Sequence, residues 1–459
     1  MDNRFLPHNT HLEGLDAFRL LDPHLRQLGK RPLIHHSELI LRLPVHDPGV
    51  YTVSGGRQVG KTTLLKQWMA LLIEKYVEPE RILFLTGELI DDHHSMVRLI
   101  TEALNKMPVS GLNYLILDEV TYVKGWDKGV KYLADAGLLE DVILMLTGSD
   151  LVIIREARMR FPGRRGQSDT VDFHLYPLSF YECIKLKSCF TDEESALFNS
   201  ANEEPSEDLM IRLFKEFENY LVHGGFLTAI NDIASEQRIL PSTFSTYSDW
   251  IRGDILKRNK RESSLREILG AIIKRYGSQI TWNALSADLS IDHPKTVADY
   301  VELLASMDAV FIQHAILEDK LTAAPKKAKK IMFTDPFIFH AVNYWLNPVE
   351  NPFTRQAQPL ISDMEWSSRL TEACTISLFR KRFPTYYIKA KGEVDLAYVD
   401  KGRFWPVEIK WTRQMRPKQL KQISKYSNGL ILTKSKTKGE IAGVQTEPLP
   451  LALLRLDDF

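Results

Sequence analysis

The chain is poor in cysteine, has no net charge and lacks any long apolar run, and each shortage removes a class of protein. Three cysteines, Cys183, Cys189 and Cys374, stand in 459 residues with no Cys-x-x-Cys spacing. That excludes a disulfide framework and a cysteine-based metal knuckle, and it fits a reducing, cytoplasmic setting. No apolar stretch approaches the roughly 18–20 residues that span a bilayer, so no membrane partner is expected. The first residues, Met1-Asp2-Asn3-Arg4-Phe5-Leu6-Pro7-His8, lack the basic start and apolar centre of a signal peptide. Lysine and arginine number 59 and aspartate and glutamate 59, which argues against a uniformly basic nucleic-acid coat protein. The balance hides a segregation. Residues 320–459 hold 24 basic and 13 acidic side chains, a surplus of 11 that the rest of the chain offsets. The C-terminal part is therefore the candidate anion-binding region.

What is present begins with a phosphate cradle. The β-prone run Val50-Tyr51-Thr52-Val53 leads into Ser54-Gly55-Gly56-Arg57-Gln58-Val59-Gly60-Lys61-Thr62-Thr63, which matches G-x-x-x-x-G-K-[ST]. Glycines let the backbone curl so that successive N–H groups face phosphate oxygens. Lys61 supplies a point charge for the terminal phosphates, and the Thr62 hydroxyl can ligate Mg²⁺. Leu64, Leu65, Trp68, Met69 and Leu72 follow at helical spacing, so the loop opens a helix whose N-terminus favours an anion. The ligand expected here is ATP with Mg²⁺.

A second apolar run, Tyr114-Leu115-Ile116-Leu117, ends in Asp118-Glu119. A buried parallel strand reads as a continuous apolar run, and ligands gather at the carboxyl ends of such strands. Asp118 is placed to hold Mg²⁺ and Glu119 to polarise the attacking water. Arg81–Thr86 reads as a strand between the two motifs. Val142–Leu146 reads as another, ending in Thr147-Gly148-Ser149, where Thr147 or Ser149 is the candidate phosphate sensor.

Together these motifs resemble the AAA+-type P-loop ATPases of the additional-strand, catalytic-glutamate branch. The resemblance extends through Phe161-Pro162-Gly163-Arg164, Leu175–Glu182 and Tyr220-Leu221-Val222-His223-Gly224-Gly225-Phe226. It points to a bacterial and archaeal family that adds a helical and winged-helix region and a restriction-endonuclease-like domain of PD-(D/E)xK type. The implied fold is α/β, with a P-loop parallel sheet in residues 1–175, helices in 176–260, a winged helix in 261–345 and the nuclease-like domain in 346–459. Two positions depart from the pattern: Gly56, where proline is common, and Asp150, where a second serine is common. Among Arg155, Arg158, Arg160, Arg164 and Arg165, the resemblance singles out Arg164 as the arginine that reaches a neighbouring γ-phosphate, which implies a homo-oligomer, ring or dimer.

The downstream motifs concern DNA. Amphipathic helices are expected over Leu265–Tyr276, from Thr281, and from Pro294, a suitable first-turn residue. Val310–Ile312 and Ile331–Phe333 then read as strands. Three helices and a hairpin make a winged helix. Lys295 on the third helix and Lys326, Lys327, Lys329 and Lys330 between the strands are the candidate phosphate-backbone contacts. Further on, Glu372 lies in a helical pattern, Glu393 and Asp395 share one face of a strand, and Glu408 and Lys410 share one face of the next. Asp395, Glu408 and Glu372 are the candidate metal ligands, and Lys410 the candidate group that handles water or phosphate. A basic helical stretch, Arg413, Arg416, Lys418, Lys421 and Lys425, is placed to line a groove. The expected function is Mg²⁺-dependent ATP hydrolysis coupled to action on DNA. The rivals are a metal-dependent nuclease regulated by ATP and a signalling or toxin–antitoxin-like switch that binds proteins.

Overall fold

A computed structural model describes residues 2–148, 159, 165–166, 168–200, 204–291, 293–412 and 420–456. The chain divides into two compact units, one of residues 1–176 with 306–308, the other of 177–305 with 309–459.

The first unit is built on parallel strands. They are β1 (Gly49–Ser54), β2 (Ile82–Thr86), β3 (Asn113–Asp118), β4 (Val142–Gly148) and β5 (Asp172–His174), in the order β2-β3-β4-β1-β5. β1 pairs in parallel with both β4 and β5, which puts the strand that feeds the P-loop in the sheet interior. Strand alternation explains the continuous apolar runs. Leu115, Leu117, Leu144 and Leu146 enter one buried cluster, and Tyr114, Ile116, Ile143 and Met145 enter the other, on the opposite face. The first layer is completed by α4 (His93–Leu104) and α5 (Trp126–Asp135). The second is completed by α3 (Lys61–Lys75), with α1 (Leu15–Leu21) and α2 (Pro23–Leu28) packed beside it. This is the P-loop NTPase α/β fold.

The residues before β1 shield an edge. On β2, the Asn9 carboxamide accepts from Phe84 N–H and donates to Phe84 O, both at 2.8 Å, as a neighbouring strand would. His11 donates to Ile82 O at 2.9 Å.

The second unit opens with helices α6 (Phe180–Leu186), α7 (Asp192–Asn199), α8 (Glu207–His223), α9 (Leu227–Glu236) and α10 (Pro241–Lys257). α11 (Glu262–Lys274), α12 (Trp282–Ser286) and α13 (Pro294–Ser306) precede an antiparallel pair, β6 (Val310–His314) and β9 (Lys329–Phe333). A small pair, β7 (Ile316–Leu317) and β8 (Thr322–Ala323), lies within the connection. α14 (Pro336–Leu346), α15 (Gln358–Ser362) and α16 (Met364–Arg380) follow. A mixed sheet then forms from β10 (Thr385–Lys389), β11 (Glu393–Asp400), β12 (Arg403–Lys410), β13 (Leu430–Thr433), β14 (Gly439–Ile441) and β15 (Val444–Pro448), in the order β10-β11-β12-β13-β15-β14, before α17 (Leu449–Arg455).

The Gly224-Gly225 pair has a steric cause. Gly224 sits at φ +57°, and a Cβ there would collide with the Asp335 carboxylate; one on Gly225 would collide with Leu178 O. Asp335 caps α14 through Phe337 N–H at 2.8 Å and accepts Gly225 N–H at 2.8 Å. Tyr220 donates its hydroxyl to Leu178 O at 2.7 Å. The Tyr220–Phe226 motif is thus a packing joint within this unit.

Candidate nucleotide-binding site

The P-loop runs from the end of β1 to the start of α3. Gly55 (φ +153°), Gln58 (φ +63°) and Gly60 (φ +97°) take conformations that curl the backbone. A Cβ on Gly55 would strike Leu175 O, so glycine is required there by contact as well as by φ. Gly56 stands between them and is buried, while Arg57 and Val59 are half-buried and Gln58 is exposed. Arg57 donates to the Tyr122 hydroxyl at 2.8 Å.

Lys61, the first residue of α3, is 5% exposed. Its Nζ donates to Gly55 O at 3.0 Å and Gly56 O at 3.1 Å, and stands 3.6 Å from Glu119 Oε1. Burial pulls the ammonium below the ordinary lysine range, partly offset by Glu119 and Asp118. Thr62 Oγ1 donates to Asp118 Oδ2 at 2.7 Å. Thr63 is half-buried on the same first turn.

β3 brings the acidic pair to the same end of the sheet. Asp118 is its last residue, and Glu119 turns out of it at φ +51°. Gly87 permits that turn, because a Cβ there would lie 2.5 Å from Glu119 O. From β4, the buried Thr147 hydroxyl donates to Asp118 Oδ1 and accepts Glu119 N–H at 2.8 Å. Thr147 therefore contacts both members of the acidic pair. Ser149, Asp150 and Arg164 lie outside the described residues, as do Arg155, Arg158 and Arg160. Arg165 pairs with Asp172 at 2.6 Å and donates to Val50 O and Val171 O, which commits it to the edge of the parallel sheet.

The residues fit a hard divalent ion. The Thr62 hydroxyl and Asp118 carboxylate are in contact, and Glu119 Oε2 is a buried acceptor with no hydrogen-bond partner.

A second polar cluster lies in the other unit. β11 supplies Glu393 and Asp395, β12 supplies Glu408 and Lys410, and α16 supplies Glu372. Asp395 Oδ2 accepts Ile409 N–H at 2.9 Å and faces Lys410 Nζ at 3.4 Å; Lys410 pairs with Glu408 at 2.6 Å. Burial and the neighbouring Asp395 push Glu408 up to about 8. Burial lifts Glu372 to about 7, against the pull of Lys330. Lys410 rises above its usual range because Asp395 and Glu408 outweigh burial.

Two of the four hairpin lysines are elsewhere than expected. Lys326 and Lys327 are exposed in the turn before β9, and Lys295 is exposed on the first turn of α13. Lys329 and Lys330 belong to β9 and are 7% and 1% exposed, so neither can reach a DNA backbone from this position. Lys329 lies 4.3 Å from the Trp282 ring centroid. Lys330 pairs with Glu372 at 2.7 Å and with Glu393, and stands 4.0 Å from Asp395. Glu372, Asp395 and Glu408 are engaged by lysines, Glu372 and Asp395 facing Lys330 and Asp395 and Glu408 facing Lys410. Among the described residues no group of three or more histidine, cysteine, aspartate or glutamate side chains is arranged to hold a metal ion. Arg413, Arg416 and Lys418 lie outside the described residues.

Sequence reasoning missed three features. The Asp22–Lys66 pair was hidden because a lysine in a helix usually faces water. The edge-shielding Asn9 has no motif. The inward turn of Lys330 was masked by the neighbouring lysines, although its place two residues from Met332 on one strand face was a signal of burial.

Family-model matches fall in both units. Residues 47–184 match the family model of an AAA domain, and residues 214–348 match a domain of unknown function (DUF8612). An uncharacterised protein of Haemophilus influenzae is 27% identical over 269 residues, 56% of this chain; the match covers 60% of that relative's length. The Walker-type ATPase PABY2304 of Pyrococcus abyssi is similar over 64% of this chain and 91% of its own, at 14% identity and a TM-score of 0.41. The Aeropyrum pernix ORC1 protein solved in complex with DNA is similar over 75% of this chain and 97% of its own, at 13% identity and a TM-score of 0.31. Among the described residues no helix is long and apolar enough to cross a membrane. The match to the AAA-domain model falls largely on the P-loop sheet of the first unit.

Proposed function

We propose that this chain binds ATP with Mg²⁺ at the P-loop, hydrolyses it, and couples the hydrolysis to action on DNA. One observation carries the hydrolysis. Lys61, Thr62, Asp118, Glu119 and Thr147, from a loop–helix junction and two strands, converge on one end of the sheet with Thr62 and Thr147 holding the two oxygens of Asp118. Backbone N–H groups of the loop and the start of α3 cradle the phosphates, and Lys61 exchanges its carbonyl partners for phosphate oxygens. Thr62 and Asp118 hold Mg²⁺, which neutralises developing phosphate charge. Glu119 orients and polarises the attacking water.

Glu119→Gln tests this. ATP binding is retained, and turnover falls by roughly 100-fold or more. Wild-type hydrolysis in that variant overturns the assignment.

DNA action rests on the exposed Lys326, Lys327 and Lys295, on a three-helix and hairpin arrangement suited to a winged helix, and on the basic surplus of residues 320–459. The strands bearing Asp395 and Glu408-Ile409-Lys410 suit a restriction-endonuclease-like sheet, which we read as part of the DNA-engaging surface. ATPase rate measured with single-stranded, duplex and four-way DNA tests the coupling. Stimulation by none of them favours a protein-binding switch.

A further inference from the structure

The β6–β9 hairpin sends one lysine into the carboxylate cluster. Lys330 Nζ lies between Glu372 of α16 and Glu393 and Asp395 of β11, with Tyr387 at 5.7 Å from ring centroid. Of the acceptors nearby, Glu408 Oε2 is buried without a hydrogen-bond partner, and those closest to Lys330 are engaged. Gln279 donates to Glu393, and the Asp395 oxygen turned away from Lys330 takes Ile409 N–H and Lys410. The backbone that carries Lys330 is held as well: its neighbours in β9 pair along β6, with Lys330 opposite Gln313, whose side chain donates to Tyr386 O and Asp395 O. Lys330 is therefore pinned at both ends.

Carboxylates from a helix and a strand converging on one point are what a hard divalent cation requires. Here the positive charge at that point is a tethered ammonium. A metal ion could enter between these carboxylates only by displacing a buried amine from a paired strand, and the released lysine would be left without a partner.

We propose that Lys330 is the resident cation of this cluster. It stands where a divalent ion would sit, so the cluster fastens the hairpin to the mixed sheet and takes no metal while the hairpin is docked. The proposal goes beyond ATP hydrolysis and does not depend on it.

Two measurements on the full chain without nucleotide decide it. The first is Mn²⁺ binding by electron paramagnetic resonance, with wild type against Asp395→Asn. Equal binding is expected, since the cluster takes no ion; a site present in wild type and lost in Asp395→Asn overturns the proposal. The second is thermal melting. Lys330→Met leaves one buried and two half-buried carboxylates uncompensated and lowers Tm by about 5–10 °C or abolishes folding. Adding Glu372→Gln and Glu393→Gln to it restores much of that loss, because the repulsion is removed with the lysine. A Lys330→Met protein with unchanged Tm, or a triple variant as unstable as the single one, overturns the latch.

Discussion

Thr147 Oγ1 donates to Asp118 Oδ1 while accepting Glu119 N–H, so one buried hydroxyl fixes both carboxylate-bearing residues at the end of β3. Removing it leaves Asp118 with a free oxygen and Glu119 with an unpaired N–H in a water-poor site. Thr147→Val is expected to lower kcat about tenfold, roughly 1.4 kcal/mol of barrier, with a smaller change in KM. Thr147→Ser keeps the hydroxyl and restores turnover. Steady-state ATPase kinetics of the two variants check this; equal loss in both would place the effect in packing.

Gly87 acts on the same pair without touching it chemically. A Cβ at this position would lie 2.5 Å from Glu119 O and 3.0 Å from its carbonyl carbon. Gly87→Ala therefore pushes Glu119 out of its φ +51° turn while leaving Lys61 and Thr62 in place. The expected result is retained nucleotide affinity with turnover reduced at least about tenfold, because displacement of a water-orienting group by a fraction of an ångström loses near-attack geometry. Fluorescent-nucleotide binding set beside ATPase rate separates the two effects.

Much of the first unit was legible in the sequence because its signals are local. Gly55 to Thr63 needs curled backbone at fixed spacing, and Tyr114 to Asp118 needs a strand buried on both faces, so each announces itself in a few consecutive residues. The hairpin lysines show where local reading fails. Lys326, Lys327, Lys329 and Lys330 look alike in sequence, yet the strand that begins at Lys329 turns two of them inward, and their partners Trp282 and Glu372 lie 47 and 42 residues away. A charge run says nothing of such distant partners. Asp395, Glu408 and Lys410 were found as a group because the two strands are consecutive; that Lys330 shares their cluster depended on how the hairpin docks.

Lys66 and Asp22 illustrate the same limit in the first unit. Their charged atoms are 3.0 Å apart and both side chains are fully buried; Lys66 also donates to His8 O at 2.6 Å and lies over the Phe84 ring at 3.7 Å. Asp22→Asn leaves a buried ammonium short of its counter-ion and is expected to lower stability by about 3–5 kcal/mol. The double change Lys66→Met with Asp22→Asn removes both charges, keeps an acceptor for the His24 and Leu25 N–H groups, and is expected to recover most of that. Urea melts of the wild type, Asp22→Asn, Lys66→Met and the double variant close the cycle.

Lys326 and Lys327 are exposed where Lys329 and Lys330 are not. Changing the first two together to alanine is expected to weaken DNA binding and to reduce the slope of log K against log salt by about 2, with unchanged Tm. Changing the second two is expected to lower Tm directly, through loss of the Trp282 stacking and of the carboxylate pairing. Salt-dependent binding titrations alongside melting curves distinguish a contact from a support. An unchanged salt slope for the exposed pair removes the hairpin from the DNA surface.

Three buried histidine rings contribute an acid-side loss to the pH response. His11 in the first unit, and His223 and His340 in the second, are each held down to about 4, first by burial, and each ring donates to a backbone carbonyl. A histidine with a depressed folded pKa contributes stability above its unfolded value near 6.5, and loses it as pH falls towards the folded value. The window therefore runs from about 6.5 down to about 4. At about pH 5 each ring by itself is expected to take away roughly 2 kcal/mol relative to about pH 7.5, while the raised Asp335, Glu372 and Glu408 carboxyls of the second unit act in the opposite sense. Replacing His340 with glutamine keeps a donor for Leu221 O and removes the titrating group. Urea unfolding at the two pH values is then expected to show a smaller acid loss for His340→Gln than for wild type, by about the contribution of one ring; an identical loss in both proteins would mean that His340 charges as readily folded as unfolded.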